Sequence, residues 1–417
     1  MDDAGPIPLA DLKVIEEMQI GIAAGFGEVQ DAKAAGKPVV WGSILMPKEI
    51  MHAMDVPMIY GEVLGAYASM MGLSAKYASL AEERGLSRDV CAVHRCMVGL
   101  GCAEELEPFF QMAFTPPDLV LAGNYPCMSA SKSFLHICEH YKIPHYLTDV
   151  PINTWGKAEA IPEHAVAYYV QELRGMIAFL ERYGYKLEWE RLQQEVAFTK
   201  QLGHLLAEVD TYKKARPCPL RAYDNVIAST APMALGKEHR TMAIFERYRD
   251  ELRDRVQRGV GVIADEKLRL LWIGVPPLCD FYLLNHPERH GAVVVKNMLE
   301  ILTGAALDPE LLDPERPLES LARAHLSGPF NPLFSNMVDY FVRAVREYQV
   351  DGVISVVKRS CGLIPGLQRM TKEAIARDSG VPTVVFELDG VDSREYDPAA
   401  TKATIDSFIE TLIARKG

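Results

Sequence analysis

The sequence predicts an α/β protein: two Rossmann-like lobes with parallel sheets, plus a helical middle segment. Three observations carry this. Short apolar runs alternate with amphipathic stretches over residues 30–155, the pattern of a parallel sheet covered on both faces. Strand-like runs return in the last third of the chain. Between them, residues 160–260 are rich in Glu, Gln, Leu, Arg and Ala and contain no clear strand. The expected organisation is an N-terminal helix at 1–30, a first α/β lobe at 31–158, a helical segment at 159–261 and a second α/β lobe at 262–417.

The elements follow in order. Leu12, Ile15, Met18 and Ile22 recur at helical spacing, so residues 10–35 read as a helix. A strand is expected at 38–43, then a helix opened by Pro47, where a missing N–H costs nothing. Further strands are expected at 57–60, 118–123 and 145–149. Long amphipathic runs at 163–183 and 188–209 form the helical segment, which the Pro217-Cys-Pro219 break interrupts. Strands return at 269–274, 292–295, 352–357 and 382–387.

Composition narrows the functional classes. A chain of 417 residues suits two or three domains, and 49% hydrophobic with 24% charged residues is ordinary for a globular protein. The net charge of -12 argues against nucleic acid as a partner, because phosphate binding needs a basic surface. No apolar run reaches the roughly 18–20 residues a membrane helix requires. The opening Met1-Asp-Asp-Ala-Gly-Pro lacks the basic and apolar regions of a signal peptide, so a cytoplasmic location is expected. In that compartment eight cysteines point to buried thiols or metal ligands rather than disulfides. No P-loop run exists, so any ATP is hydrolysed on another polypeptide. Gly259-Val-Gly261 mimics a dinucleotide fingerprint but precedes a strand instead of following one, and reads as a loop. His136 and His140 share a helix face without a third ligand nearby and read as a solvated face.

Three cysteines stand apart. Cys127 and Cys361 follow predicted strands, and Cys91 opens the segment after Ser87-Arg-Asp-Val90. Ligand crevices form at the carboxyl ends of strands in an open α/β sheet. Two of these thiols belong to the first lobe and one to the second, so a site they share would lie in the cleft between lobes. Three thiols suggest a soft-metal site with one position free: a cube-shaped iron–sulfur cluster normally takes four cysteines. Taken singly, a free cysteine is equally a small buried hydrophobe. Cys138, Cys218 and Cys279 read as packing or surface thiols. Cys96 and Cys102, with Cys91, form a C-x4-C-x5-C run that could feed a larger cluster.

Local patterns around these residues resemble the 2-hydroxyacyl-CoA dehydratase and benzoyl-CoA reductase family. They are Asp89-Val-Cys91-Ala-Val-His-Arg95, then Pro117-Asp118 leading to Asn124-Tyr-Pro-Cys127 with Lys132 beyond it, and Arg359-Ser360-Cys361 trailed by Gly380-Val-Pro382 and Asp392-Ser-Arg394. Gly36-Lys-Pro-Val-Val-Trp41 and Met46-Pro-Lys-Glu49 are similar to that family's first strand and helix. The resemblance implies a [4Fe–4S] cluster on Cys91, Cys127 and Cys361, an acyl-CoA substrate, a homologous iron–sulfur subunit as partner in a heterodimer, and a separate ATP-hydrolysing electron donor. Glu62 resembles an acidic position of the dehydratase branch close to the thioester, although a helix N-terminus alone would favour a carboxylate there. Ser43 could help hold a carbonyl or simply cap the next helix. His94 and Arg95 could serve the cluster sulfurs or solvate their loop.

Such chemistry adds one electron to a thioester carbonyl, giving a ketyl radical. An attached aromatic ring is then reduced, whereas a hydroxyl at carbon 2 is expelled. The stretches at 290–295, 316–321 and 391–394 resemble the subunits of benzoyl-CoA reductase, which makes an ATP-dependent aromatic acyl-CoA reductase the leading expectation. A subunit of an (R)-2-hydroxyacyl-CoA dehydratase is the alternative, and a double-cubane cluster reductase the second. A non-redox, two-lobed binding protein with core cysteines is the reading from outside this family.

Overall fold

A computed structural model describes residues 12–233, 238–302, 307–328, 330–331 and 334–416. The first sheet contains β1 (Val40–Gly42), β2 (Met58–Tyr60), β3 (Leu119–Gly123) and β4 (His145–Thr148), in the order β2-β1-β3-β4. The second contains β5 (Leu268–Ile273), β6 (Ala292–Asn297), β7 (Gly352–Lys358) and β8 (Thr383–Leu388), in the order β6-β5-β7-β8. Every pairing is parallel, with Trp41 beside Val120 and Trp272 beside Ile354. These are the eight strands the sequence marks. The N-terminal helix is Lys13–Ala34, and the part of that expectation on residues 1–11 lies outside the described residues.

The strands read clearly because a parallel strand buried on both faces is a continuous apolar run. All residues of β3 and β5 are buried, whereas the edge strands β4 and β8 alternate between cover and solvent. Trp41 is fully buried at the centre of the first sheet, where its indole N–H donates to Thr115 O at 2.9 Å. In each sheet the chain leaves a central strand towards one edge and then crosses to the other. The resulting switch points lie between β1 and β3 and between β5 and β7, where crevices open at the strand carboxyl ends.

Between β4 and β5 the described residues form helices and no strand: Glu163–Glu181, Trp189–Tyr212, Ala222–Thr230 and Glu238–Arg258. This segment braces the two lobes. Thr199 Oγ1 donates to Glu49 Oε1 at 2.7 Å in the first lobe. At the other end of the same helix, Lys213 Nζ meets Glu300 Oε2 at 2.5 Å and Asp210 meets Lys296 at 2.8 Å in the second. Among the described residues no helix is long and apolar enough to cross a membrane.

The lobes also meet directly. Arg95 Nη1 of the first contacts Asp392 Oδ2 of the second at 2.9 Å, and Arg394 Nη2 bridges Asp392 at 2.6 Å and Glu82 at 2.5 Å. Arg95 and Asp392 are essentially without solvent, so removing one partner strands the other's charge in the interior. Asp392→Asn should therefore cost about 3–5 kcal/mol in denaturant unfolding. Burial pushes the Asp392 carboxyl up, but Arg394 and Arg95 together hold it down at about 2. Its folded-state value lies below the ordinary carboxylate value of about 3.9. The contribution is therefore complete above about pH 4 and fades as pH falls through about 2. A chain whose acid unfolding is unchanged by Asp392→Asn would contradict this.

Candidate functional site

Each of the three thiols lies where the backbone turns from one element into the next. Cys91 is the N-cap of helix Ala92–Gly101, Cys127 is the N-cap of helix Met128–Tyr141 beyond β3, and Cys361 lies in the turn after β7. A helix N-terminus offers free N–H groups and a positive dipole end, both of which favour a thiolate. All three are half-buried. Cys96, Cys102, Cys138 and Cys218 are instead buried as core residues, and Cys279 is half-buried. Cys96 donates its thiol to Ser74 O at 3.7 Å, and burial pushes its pKa up to about 12. Neither Cys96 nor Cys102 shares the half-open setting of Cys91.

The thiols lie within one another's electrostatic reach. Burial pushes the Cys127 thiol up to about 12, and the charge of Cys91 adds to this; Cys91 also raises Cys361. Cys91 behaves in the opposite way. Burial would raise it, but the Lys358 ammonium, 3.1 Å from its sulfur, and His94 bring it down to about 5. Lys358 and His94 therefore favour the thiolate form of Cys91. Among the described residues the three sulfurs are not mutually within 4.8 Å, so they do not close around a single ion. Three soft donors from three separate turns, set wider than one ion, suit a multinuclear iron–sulfur group.

Two close approaches fix the neighbouring acid and base. A Cβ on Gly65 would collide with the Val93 carbonyl, and one on Gly99 with the Tyr77 carbonyl. Glycine at these positions lets helices Gly61–Met70 and Ser74–Glu83 pack directly onto helix Ala92–Gly101. Glu62, in the first turn of Gly61–Met70, thereby comes to 3.5 Å from His94 Nε2. It is buried and accepts from Ser43 Oγ at 2.8 Å and from the Ile44 N–H at 3.1 Å. Ser43 does not cap the following helix, whose N-cap is Pro47; its hydroxyl is committed to Glu62. Both His94 ring nitrogens are buried, and the groups they face are Cys91 and Glu62. Burial lowers the His94 pKa, but Cys91 and Glu62 raise it more, to about 9, so the ring carries a proton.

His94 and Arg95 do not solvate a loop. His94 joins Glu62 to Cys91, whereas Arg95 is spent on Glu82, Asp392 and the Val90 carbonyl. Sequence reasoning missed Lys358 and the Ser360–Asp389 pair. Ser360 donates to Asp389 and accepts from the Ala92 N–H at 3.2 Å, tying the residue next to Cys361 to the helix that Cys91 caps. A lysine ending a buried strand three residues before Cys361 was the available signal. Two cavities of about 940 Å3 lie away from the thiols, one lined by Lys213 and Lys296 and the other by His52 and Glu195. Gly259 and Gly261 lie in the connection before β5, as expected of a loop, and His136 and His140 acquire no third ligand among the described residues.

Two parallel-sheet lobes, with Cys91 of one against Lys358 of the other and a buried carboxylate–imidazole pair beside them, define the class as a two-lobed α/β protein. The chain belongs to the 2-hydroxyglutaryl-CoA dehydratase, D-component family, whose sequence profile matches residues 43–412. It is 26% identical over 405 residues to the lactoyl-CoA dehydratase subunit alpha of Anaerotignum propionicum, covering 93% of both chains. It is 25% identical over 396 residues to the (R)-phenyllactyl-CoA dehydratase alpha subunit of Clostridium sporogenes, covering 93% of this chain and 92% of that one. A chain of the benzoyl-CoA reductase of Thauera aromatica is also 25% identical, over 407 residues, with 94% and 92% covered.

Proposed function

We propose that this chain is the cluster-bearing subunit of an enzyme that dehydrates a 2-hydroxyacyl-CoA, with Cys91, Cys127 and Cys361 as the ligands of a [4Fe–4S] cluster. The observation that carries this reading is the Ser43–Glu62–His94 chain set against the Cys91 thiol at the lobe junction. Bound on three thiolates, such a cluster supplies single electrons and one open iron as a Lewis acid for a thioester oxygen.

The protein's own residues supply the rest. Lys358 offsets the charge of Cys91 and holds its sulfur in place. Ser43 and the Ile44 N–H fix the Glu62 carboxylate as a proton acceptor, while His94 holds a proton beside it. Elimination takes a proton from carbon and gives one to the departing hydroxyl, so it needs both an acceptor and a donor. Reduction of a ring only adds protons. An acceptor and a donor side by side therefore suit dehydration better.

This shifts the preference away from the aromatic reductase. Of the stretches that favoured it, 290–295 runs into strand β6, 316–321 opens a helix and 391–394 carries the interlobe ion pairs. These are scaffold positions. Aromatic reduction keeps support from the similarity to the benzoyl-CoA reductase chain. The double-cubane alternative is disfavoured by the burial of Cys96 and Cys102. A related second subunit and a separate ATP-hydrolysing electron donor complete the proposed system. With both supplied anaerobically, the protein should turn over an (R)-2-hydroxyacyl-CoA and leave benzoyl-CoA unchanged. The reverse preference would return the chain to the reductase branch, and a colourless, iron-free protein would remove both.

A further inference from the structure

A second group of metal-ligating side chains lies apart from the thiols, at the junction of segment Leu278–His290 and the C-terminal helix Pro398–Lys416. His286 and His290 are four residues apart in a 3-10 segment, and their ring centroids lie 6.0 Å from one another. Asp406 reaches them from the other helix. His286 Nε2 is 2.6 Å and His290 Nε2 2.9 Å from the same oxygen, Asp406 Oδ1. Among the described residues this is the one trio of possible metal ligands whose donor atoms all lie within 4.8 Å of one another.

We propose that His286, His290 and Asp406 form a binding site for a first-row divalent transition ion of the zinc class. Two imidazole nitrogens and one carboxylate oxygen are the donors such ions prefer, and three protein ligands leave room for water. Fixing one helix to another would need a single hydrogen bond. Here both rings converge on one oxygen, each presenting Nε2, and an ion takes the place of the protons they would otherwise share. The three side chains are 13%, 32% and 32% exposed, open enough for an ion to enter and covered enough to hold their geometry. The nearby cation, Lys402, is drawn to Asp280 Oδ2 at 3.5 Å instead of to Asp406. Because Ile405 and Ile409 bury the same helix in the core, the bound ion would clamp the C-terminus to the second lobe.

The test uses the full-length, untagged chain with its cysteine site reconstituted with iron, so that the thiols do not compete. Equilibrium dialysis against Zn2+ should leave one zinc per chain in the unsubstituted protein and none in His290→Gln or Asp406→Asn, with iron content equal in all three. Zn2+ should also raise the thermal unfolding temperature of the unsubstituted protein but not of His290→Gln, since a ligand held only by the folded state stabilises it. Equal zinc retention in all three proteins, including none in any, would overturn the site. Because His290 is partly exposed, its replacement should fold normally. Circular dichroism verifies this, and Asp406→Asn provides an independent second variant.

Discussion

Cys127→Ala is expected to yield a folded but colourless chain with essentially no iron or sulfide after anaerobic reconstitution. The side chain is small and half-buried, so truncation should cost only about 1 kcal/mol of stability. The paired control is Cys138→Ala. Cys138 is buried in the core of the first lobe, so its loss should cost at least as much stability while leaving the iron content intact. Cys91→Ala and Cys361→Ala should behave like Cys127→Ala, although these residues come from both lobes. If Cys127→Ala retains its full iron content, the proposed ligand set is wrong. If it merely unfolds while Cys138→Ala does not, far-UV circular dichroism will show this before any iron is counted.

Glu62→Gln should separate chemistry from architecture. The glutamine keeps the shape and one oxygen to accept from Ser43 Oγ or the Ile44 N–H, so fold and iron content should persist. It removes the charge and the proton acceptor, and turnover should fall by about 10²–10⁴-fold. The loss should appear in kcat rather than in acyl-CoA binding, because a positioned base acts in the transition state. Ser43→Ala, which leaves the carboxylate but loosens it, should give a smaller loss of the same kind. Unchanged turnover in Glu62→Gln would leave the residue as a buried structural carboxylate and withdraw the main support for dehydration over reduction.

Much of the site was legible without coordinates because α/β topology converts sequence position into spatial position. Cys127 and Cys361 follow strands whose apolar runs are unmistakable, and strand carboxyl ends converge on a crevice. Their neighbourhood could thus be anticipated. Glu62 was visible for the same reason, two residues beyond the end of β2. Its partners were not, because a first-turn carboxylate looks the same whether it faces solvent or, as here, Ser43 and His94. Arg95 shows the limit most clearly. It sits four residues from Cys91, yet its partner Asp392 is 297 residues away, and no local pattern announces the pair. The His286–Asp406 contact spans 120 residues and was missed on the same ground.

The sequence by itself determined the eight strands and the helical stretch between the sheets, and it singled out Cys91, Cys127 and Cys361 as candidates. Each of these depends on local periodicity or on a residue's distance from a strand end. Only the tertiary structure decided the charge states and partners: Lys358 against Cys91, Ser360 holding the Ala92 N–H, and His94 between a thiol and a carboxylate. These depend on burial and on contacts across the lobe junction. Removing water there makes an ion's energy depend on its nearest counter-charge, and the chain brings that counter-charge from hundreds of residues away.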